Sequence, residues 1–293
     1  MTGTLPIAEG EAAGAHETYP SFDEEAPARQ PRRSRKWTSK ILPVYSALVI
    51  LYLMLPILVM MLYSFNKAPA ARVTFKWNGF TTAWYKNLFA VSDLTGALRV
   101  SILLALASTI IATILGTLIA LALVRYRFRG KGSADTIMFM NIAAPEIVLG
   151  ASLLTLFVSV SISRGFVTLL IAHVMFSIAF VTITVRARLA GFDRSLEEAA
   201  GDLYATPIVA FFKVTLPIIW PGVLAGALLA FALSIDDFVI SNFVNGTTIT
   251  FPLWVYGAVK VGIPPQVFVF GTIIFLVGIL VAAASLVLQR KKV

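Results

Sequence analysis

The sequence predicts an all-α membrane protein with six transmembrane helices and both termini on the cytoplasmic side. Three observations lead there. Of 293 residues, 58% are hydrophobic and 13% charged, with a mean hydropathy of +0.85. A soluble domain is about 45–50% apolar and about 25% charged, so the surplus has to face lipid. Six apolar runs also reach the roughly 20 residues that cross a bilayer as a helix. Finally, with the N-terminus inside, 17 Lys and Arg lie on inner segments and 7 on outer ones, the positive-inside sense. The same composition excludes a soluble enzyme. It also argues against a nucleic-acid partner, because the net charge of +9 sits beside apolar runs rather than on a soluble face. Cysteine is absent, which removes disulfides, thiolate metal sites and cysteine nucleophiles.

Residues 1–37 read as a disordered cytoplasmic tail. Glu9, Glu11, Glu17, Asp23, Glu24 and Glu25, set among Ala, Gly and Pro, offer too little apolar surface to offset ordering entropy. Arg29, Arg32, Arg33, Arg35, Lys36 and Lys40 then form an anchor at the inner lipid headgroups. Residues 38–293 read as one transmembrane domain, with spans at 41–63, 99–124, 137–160, 166–185, 218–243 and 267–288. A short turn from Ser161 to Gly165 makes the third and fourth a tight hairpin, and Pro217 and Pro221 suit the start of the fifth. No strand pattern and no strong internal repeat competes. In the outer loop 64–98, Trp77, Phe80, Trp84, Tyr85 and Phe89 fit either an aromatic belt at the headgroups or part of a ligand mouth.

The inner loop 186–217 carries the most information. Ser195 followed by Glu198 has the spacing of a capping box. A helix from Leu196 to Tyr204 should follow, and Pro207 discourages its continuation. Leu196, Ala199, Ala200 and Leu203 fall on one face, edged by Glu197, Glu198 and Asp202. Acids at that rim disfavour an anionic leaflet, so the face is shaped for a groove on a partner.

Glu198, Ala199, Ala200, three residues, Tyr204, nine residues, Val214, Thr215 and then Leu216-Pro217 resemble the EAA-x3-G-x9-I-x-LP loop of bacterial ABC importer permeases. The segments 228–246, 251–265 and 144–150, with WNGFTTAWY at 77–85, resemble the second permease subunit of spermidine/putrescine importers, a likeness over about residues 40–290. The resemblance implies the type I importer permease fold in a bacterial inner membrane, with polyamine as cargo. It implies a coupling helix around Ser195–Tyr204 docking on an ATPase dimer that uses ATP and Mg, a second homologous permease and an extracytoplasmic binding protein. It also implies roles in uptake for Trp84, Glu146, Ser234, Asp236 and Asp237. The chain departs from the family at Tyr204, where a glycine is usual, and at Gln266, near which relatives have an acid.

Independently of that likeness, Glu146, Asp236 and Asp237 are the acids inside the spans. Glu146 should lie about 14 Å along the third helix, and Asp236 and Asp237 about 21–24 Å along the fifth. Intramembrane carboxylates are costly and by default mark a pathway. No Lys or Arg inside the spans can pair with them, so a cation or a proton is needed. A polyamine, an apolar chain with an ammonium at each end, suits separated carboxylates and aromatic walls. The alternatives for the same residues are structural: Asp237 as a helix cap, Glu146 as a hydrogen-bonded bridge, Trp84 as a headgroup anchor.

His173 reads as a packed histidine, since no second ligand stands at metal spacing. RGKGS at 129–133 lacks phosphate-loop spacing, so ATP hydrolysis belongs to a separate subunit and this chain needs no cofactor of its own. Import of another small cationic or opine-like solute is the nearest alternative. An ion-coupled secondary transporter should show broken helices in inverted repeats, which the sequence does not reveal. An intramembrane aspartyl protease needs facing aspartates, whereas adjacent Asp236 and Asp237 point about 100° apart.

Overall fold

A computed structural model describes the backbone of residues 38–69, 72–73 and 76–290, and the side chains of 41–69, 72–73 and 76–285. The expected tail at 1–37, Lys291 and Lys292 lie outside the described residues. The chain divides into two compact units, residues 1–54 and 55–293. Of the first, the described residues form the leading part of α1 (Thr38–Tyr63), predominantly apolar from Ile41 onward.

In the second unit α1 is followed by α2 (Ala83–Lys86), α3 (Ser92–Arg125), α4 (Lys131–Ala143), α5 (Glu146–Ser159), α6 (Phe166–Leu189) and α7 (Ser195–Asp202). Next come α8 (Pro207–Ala210), a π-helical turn (Phe211–Thr215) and α9 (Leu216–Asp236). The chain then passes through α10 (Val239–Val244), α11 (Phe251–Val261) and α12 (Gln266–Arg290). Helix α1, helix α3, helix α6, the run Pro207–Asp236 and α12 are each long and apolar enough to cross a membrane. Helices α4 and α5, each too short alone, are together apolar and long enough to count as a sixth if the bent pair is one span.

Helices α3, α6 and α9 pack on one another as the central layer. Ala112, Ala120 and Leu121 of α3 meet Val181, Val185 and Leu189 of α6 and Ile219, Val223 and Ala230 of α9. Small side chains let these backbones approach, the device by which helices associate where lipid supplies no hydrophobic drive. A second cluster joins Leu104 of α3, Leu153 and Phe157 of α5, Leu169, Ala172 and Phe176 of α6, and Ile240 and Val244 of α10.

Two spans differ from their expected form. The third is not one helix over 137–160: it breaks by 110° between Ala143 and Glu146. Pro145 has no N–H and pushes Ala144 into extended backbone (φ −69°, ψ 136°), so the helix stops and restarts. The fifth starts at Pro207, capped by Thr206, rather than near 218, and ends at Asp236 rather than 243. Pro217 and Pro221 lie within it. The hairpin also differs: α5 packs chiefly on α10 and only lightly on α6.

Candidate functional site

The two breaks face each other. Asp237 takes extended backbone (φ −62°, ψ 119°) at the end of α9, and its carboxylate turns forward to accept from the N–H groups of Ile240 (3.3 Å) and Ser241 (2.8 Å). That caps α10 and fixes the direction in which the chain leaves α9. Across from it, Glu146 stands in the first turn of α5, where a carboxylate complements the N-terminal dipole. Between the breaks lies a cavity of about 330 Å³ lined by Glu146, Asp236 and Asp237. Phe176, Phe180 and Phe238 supply its aromatic wall, and Asn141 lies at its edge, donating to the Met175 carbonyl at 3.1 Å. The volume is that of a small-molecule site.

The three carboxylates are not equivalent. Among the described residues neither Glu146 nor Asp236 pairs with Lys, Arg or His, and Asp236 has the like charges of Asp237 and Glu146 as neighbours. Asp237 is held by two backbone N–H groups and has Nε2 of His173 at 3.5 Å. For Asp237 the structure matches the alternative reading, a helix cap: two backbone donors and His173, reached only through the break after Asp236, meet its charge, so the need for a cation or a proton falls on Glu146 and Asp236.

The other expected pathway residues lie elsewhere. Ser234 is buried and does not line the cavity; it bonds Nδ1 of His173 (2.7 Å) and accepts from Ser108 (3.0 Å). Trp84 sits in a folded outer loop, its indole N–H donating to the Asn66 carbonyl at 2.9 Å. Asn66 also accepts from the Asn78 N–H and donates to the Lys76 carbonyl, while Phe65 stacks between Phe80 and Tyr85. Trp84 is thus a strut of this loop and not a neighbour of the acids. Gln266 opens α12, buried, its amide 3.5 Å from the Asn87 carbonyl.

The inner segment forms α7 as an amphipathic helix, with Leu196 in its first turn and Leu203 just past its end both exposed. The capping box is absent: Ser195 lies inside the helix, and Asp193 accepts from the Ser195 N–H at 3.0 Å instead. Both the N–H and the hydroxyl of Ser195 hold the Asp193 carboxyl below its ordinary value. The helix ends at Asp202, not Tyr204. Tyr204 itself adopts left-handed backbone (φ +62°), its N–H reaching the Gly201 carbonyl and the Ala205 N–H the Ala200 carbonyl. This is a Schellman closure with tyrosine where glycine is favoured. Glu198, Ala199 and Ala200 lie along α7, Glu198 and Ala199 exposed, while Leu216 and Pro217 open α9. Glu197, on the acidic edge of the apolar face as expected from the spacing, is bound by Arg125 and Thr215, partners that the spacing did not connect to it.

Residues 112–293 match the family described as binding-protein-dependent transport system inner membrane component. The chain is 41% identical over 242 residues to the spermidine/putrescine transport system permease protein PotC of Escherichia coli, covering 82% of this chain and 90% of that one. The chain belongs to this permease family. The permease is also 39% identical over 231 residues to the putrescine transport system permease protein PotI of Escherichia coli, covering 76% and 81% of the two chains. In fold it resembles a bacterial ABC transporter involved in the import of the acidic polysaccharide alginate, with a TM-score of 0.63 at 19% identity over 89% of this chain and 98% of that chain. The permease is a multi-pass inner-membrane subunit of a bacterial ABC importer, a transport component rather than an enzyme, working within a multi-component system.

Proposed function

We propose that this permease carries polyamines into the cytoplasm, and that the cavity between the two helix breaks is where the cargo crosses. One observation carries the reading: Glu146 and Asp236 line an aromatic-walled cavity, and among the described residues no basic side chain pairs with either. Two separated carboxylates and an apolar surface suit a chain with an ammonium at each end. The relatives' cargoes, spermidine and putrescine, have that chemistry.

On this reading both termini are cytoplasmic and α7 couples the permease to an ATPase dimer through its exposed apolar face. A second, homologous permease completes the pathway, and a binding protein delivers cargo from outside. The cation asymmetry of the sequence supports that orientation.

The test is uptake of labelled putrescine and spermidine by the complete importer in proteoliposomes. Glu146→Gln and Asp236→Asn keep volume and hydrogen-bonding capacity while deleting charge. Breaking a desolvated pair costs several kcal/mol, so uptake should fall about a hundredfold or more while the complex still co-purifies. Wild-type uptake by the well-assembled double variant would overturn the cargo site.

A further inference from the structure

His173 sits in the middle of α6 with no exposed surface, and both its ring nitrogens are engaged. Nδ1 lies 2.7 Å from the Ser234 hydroxyl, and Nε2 lies 3.0 Å from the Ser241 hydroxyl and 3.5 Å from Oδ2 of Asp237. Ser108 extends the network, its hydroxyl 3.0 Å from that of Ser234. Either ring nitrogen can donate or accept, and whichever carries the hydrogen, the imidazole bridges Ser234 on one side to Ser241 and Asp237 on the other.

The three contacts are spaced along the chain in a telling way. Ser234 is in the last turn of α9, Asp237 is at the break, and Ser241 is in α10. One ring on α6 therefore grips the chain before, at and after the bend. Asp236 and Phe238, the cavity-lining residues on either side of Asp237, inherit their positions from it. A fully hydrogen-bonded buried network of this kind specifies one geometry.

We infer that His173 is a positioning residue for transport: by holding Asp237 and the two serines it fixes the bend that presents Asp236 to the cargo. The inference rests on the cavity being the cargo site, and the experiment separates the two.

The measurement is putrescine uptake by the reconstituted importer, with assembly read by co-purification of the ATPase. His173→Phe keeps a ring of similar size and removes every hydrogen bond, and uptake should fall about tenfold or more. His173→Gln, which keeps a donor and an acceptor, should recover most of it. The His173→Phe, Asp237→Asn double variant should be no worse than the worse single one, because the two residues act as a unit. Ser108→Ala, at the far end of the network, should be near wild type. Losses that multiply in the double variant, or wild-type uptake by His173→Phe, would overturn the inference. If His173→Phe does not assemble, the Ser234→Ala, Ser241→Ala pair keeps the ring and removes its hydroxyl partners; wild-type uptake there would be equally fatal. Loss of uptake in Asp236→Asn with none in His173→Phe leaves the cargo site standing and removes only the role of His173. Indifference to Glu146→Gln and Asp236→Asn removes the cargo site itself.

Discussion

Arg125, the last residue of α3, donates to Glu197 in the first turn of α7, and Thr215 donates to the same carboxylate oxygen. One oxygen thus ties α7 to the end of a central helix and to the π turn that leads into α9. Arg194 reinforces the join by reaching the Val124 carbonyl at 3.2 Å. These bonds join α7 to the helix bundle at Glu197.

Replacing Glu197 by Ala should loosen α7 without unfolding the spans. The pair is partly buried, and charge-assisted bonds of this kind contribute about 1–2 kcal/mol. Amide-exchange protection across 195–202 should fall about tenfold, and cargo uptake per ATP hydrolysed should fall with it. Unchanged protection would mean that α7 is held by its backbone alone.

Tyr204 holds a left-handed conformation that costs a non-glycine residue about 1–2 kcal/mol. The residue is 96% exposed, so little packing is lost on removing its ring. Tyr204→Gly should raise the protection of the 203–205 amides severalfold, and Tyr204→Val should lower it. The reverse order would show that the ring, not the backbone, holds the helix end.

Gly150 of α5 lies against Phe243 of α10, where an added Cβ would stand 2.5 Å from the ring. Overpacking of that kind costs about 1–3 kcal/mol. Gly150→Ala should lower the thermal stability of the detergent-purified complex, and adding Phe243→Leu should restore part of it. Equal stability of Gly150→Ala and wild type would show that α5 shifts freely.

Asp193 gives a pH dependence with a definite sign. Its folded carboxyl titrates below the ordinary 3.8 because of Ser195. The stabilisation is therefore complete above 3.8 and is lost as pH falls through the lower folded value. Carbon NMR of the Asp193 carboxyl should give a midpoint under 3.8, and Ser195→Ala should move it part of the way back. A midpoint at or above 3.8 would remove the interaction.

The spans were legible because lipid demands long apolar runs, and the inner helix because its apolar spacing is local. The breaks were not. Pro145 marked a freed carbonyl, but a proline inside a long apolar run can kink a helix or end it, and the 110° turn depends on what packs beside Ala144. The helix-cap reading of Asp237 pointed to a helix end there but did not decide it, because its partners Ile240 and Ser241 meet it only once the helix has stopped. His173 and Asp237 stand 64 residues apart in sequence, so the spacing rules that find ligand sets could not join them. Trp84 was readable as a ligand mouth or a headgroup anchor; its indole N–H donates to the Asn66 carbonyl, a contact set by the fold of the loop and announced by no local pattern.

The π turn at Phe211–Thr215 has a consequence for the far end of its span. There the Leu216 N–H reaches back five residues, to the Phe211 carbonyl. Such a turn holds one residue more than an α turn, so it acts as a phase offset: everything beyond it is rotated by about 100° relative to an uninterrupted helix. With the offset, Gly222 meets Arg188 and Asp236 meets the cavity. Deleting a single residue from 211–215 would restore a regular helix and swing both away together, silencing transport from some twenty residues off with every side chain of the cavity intact.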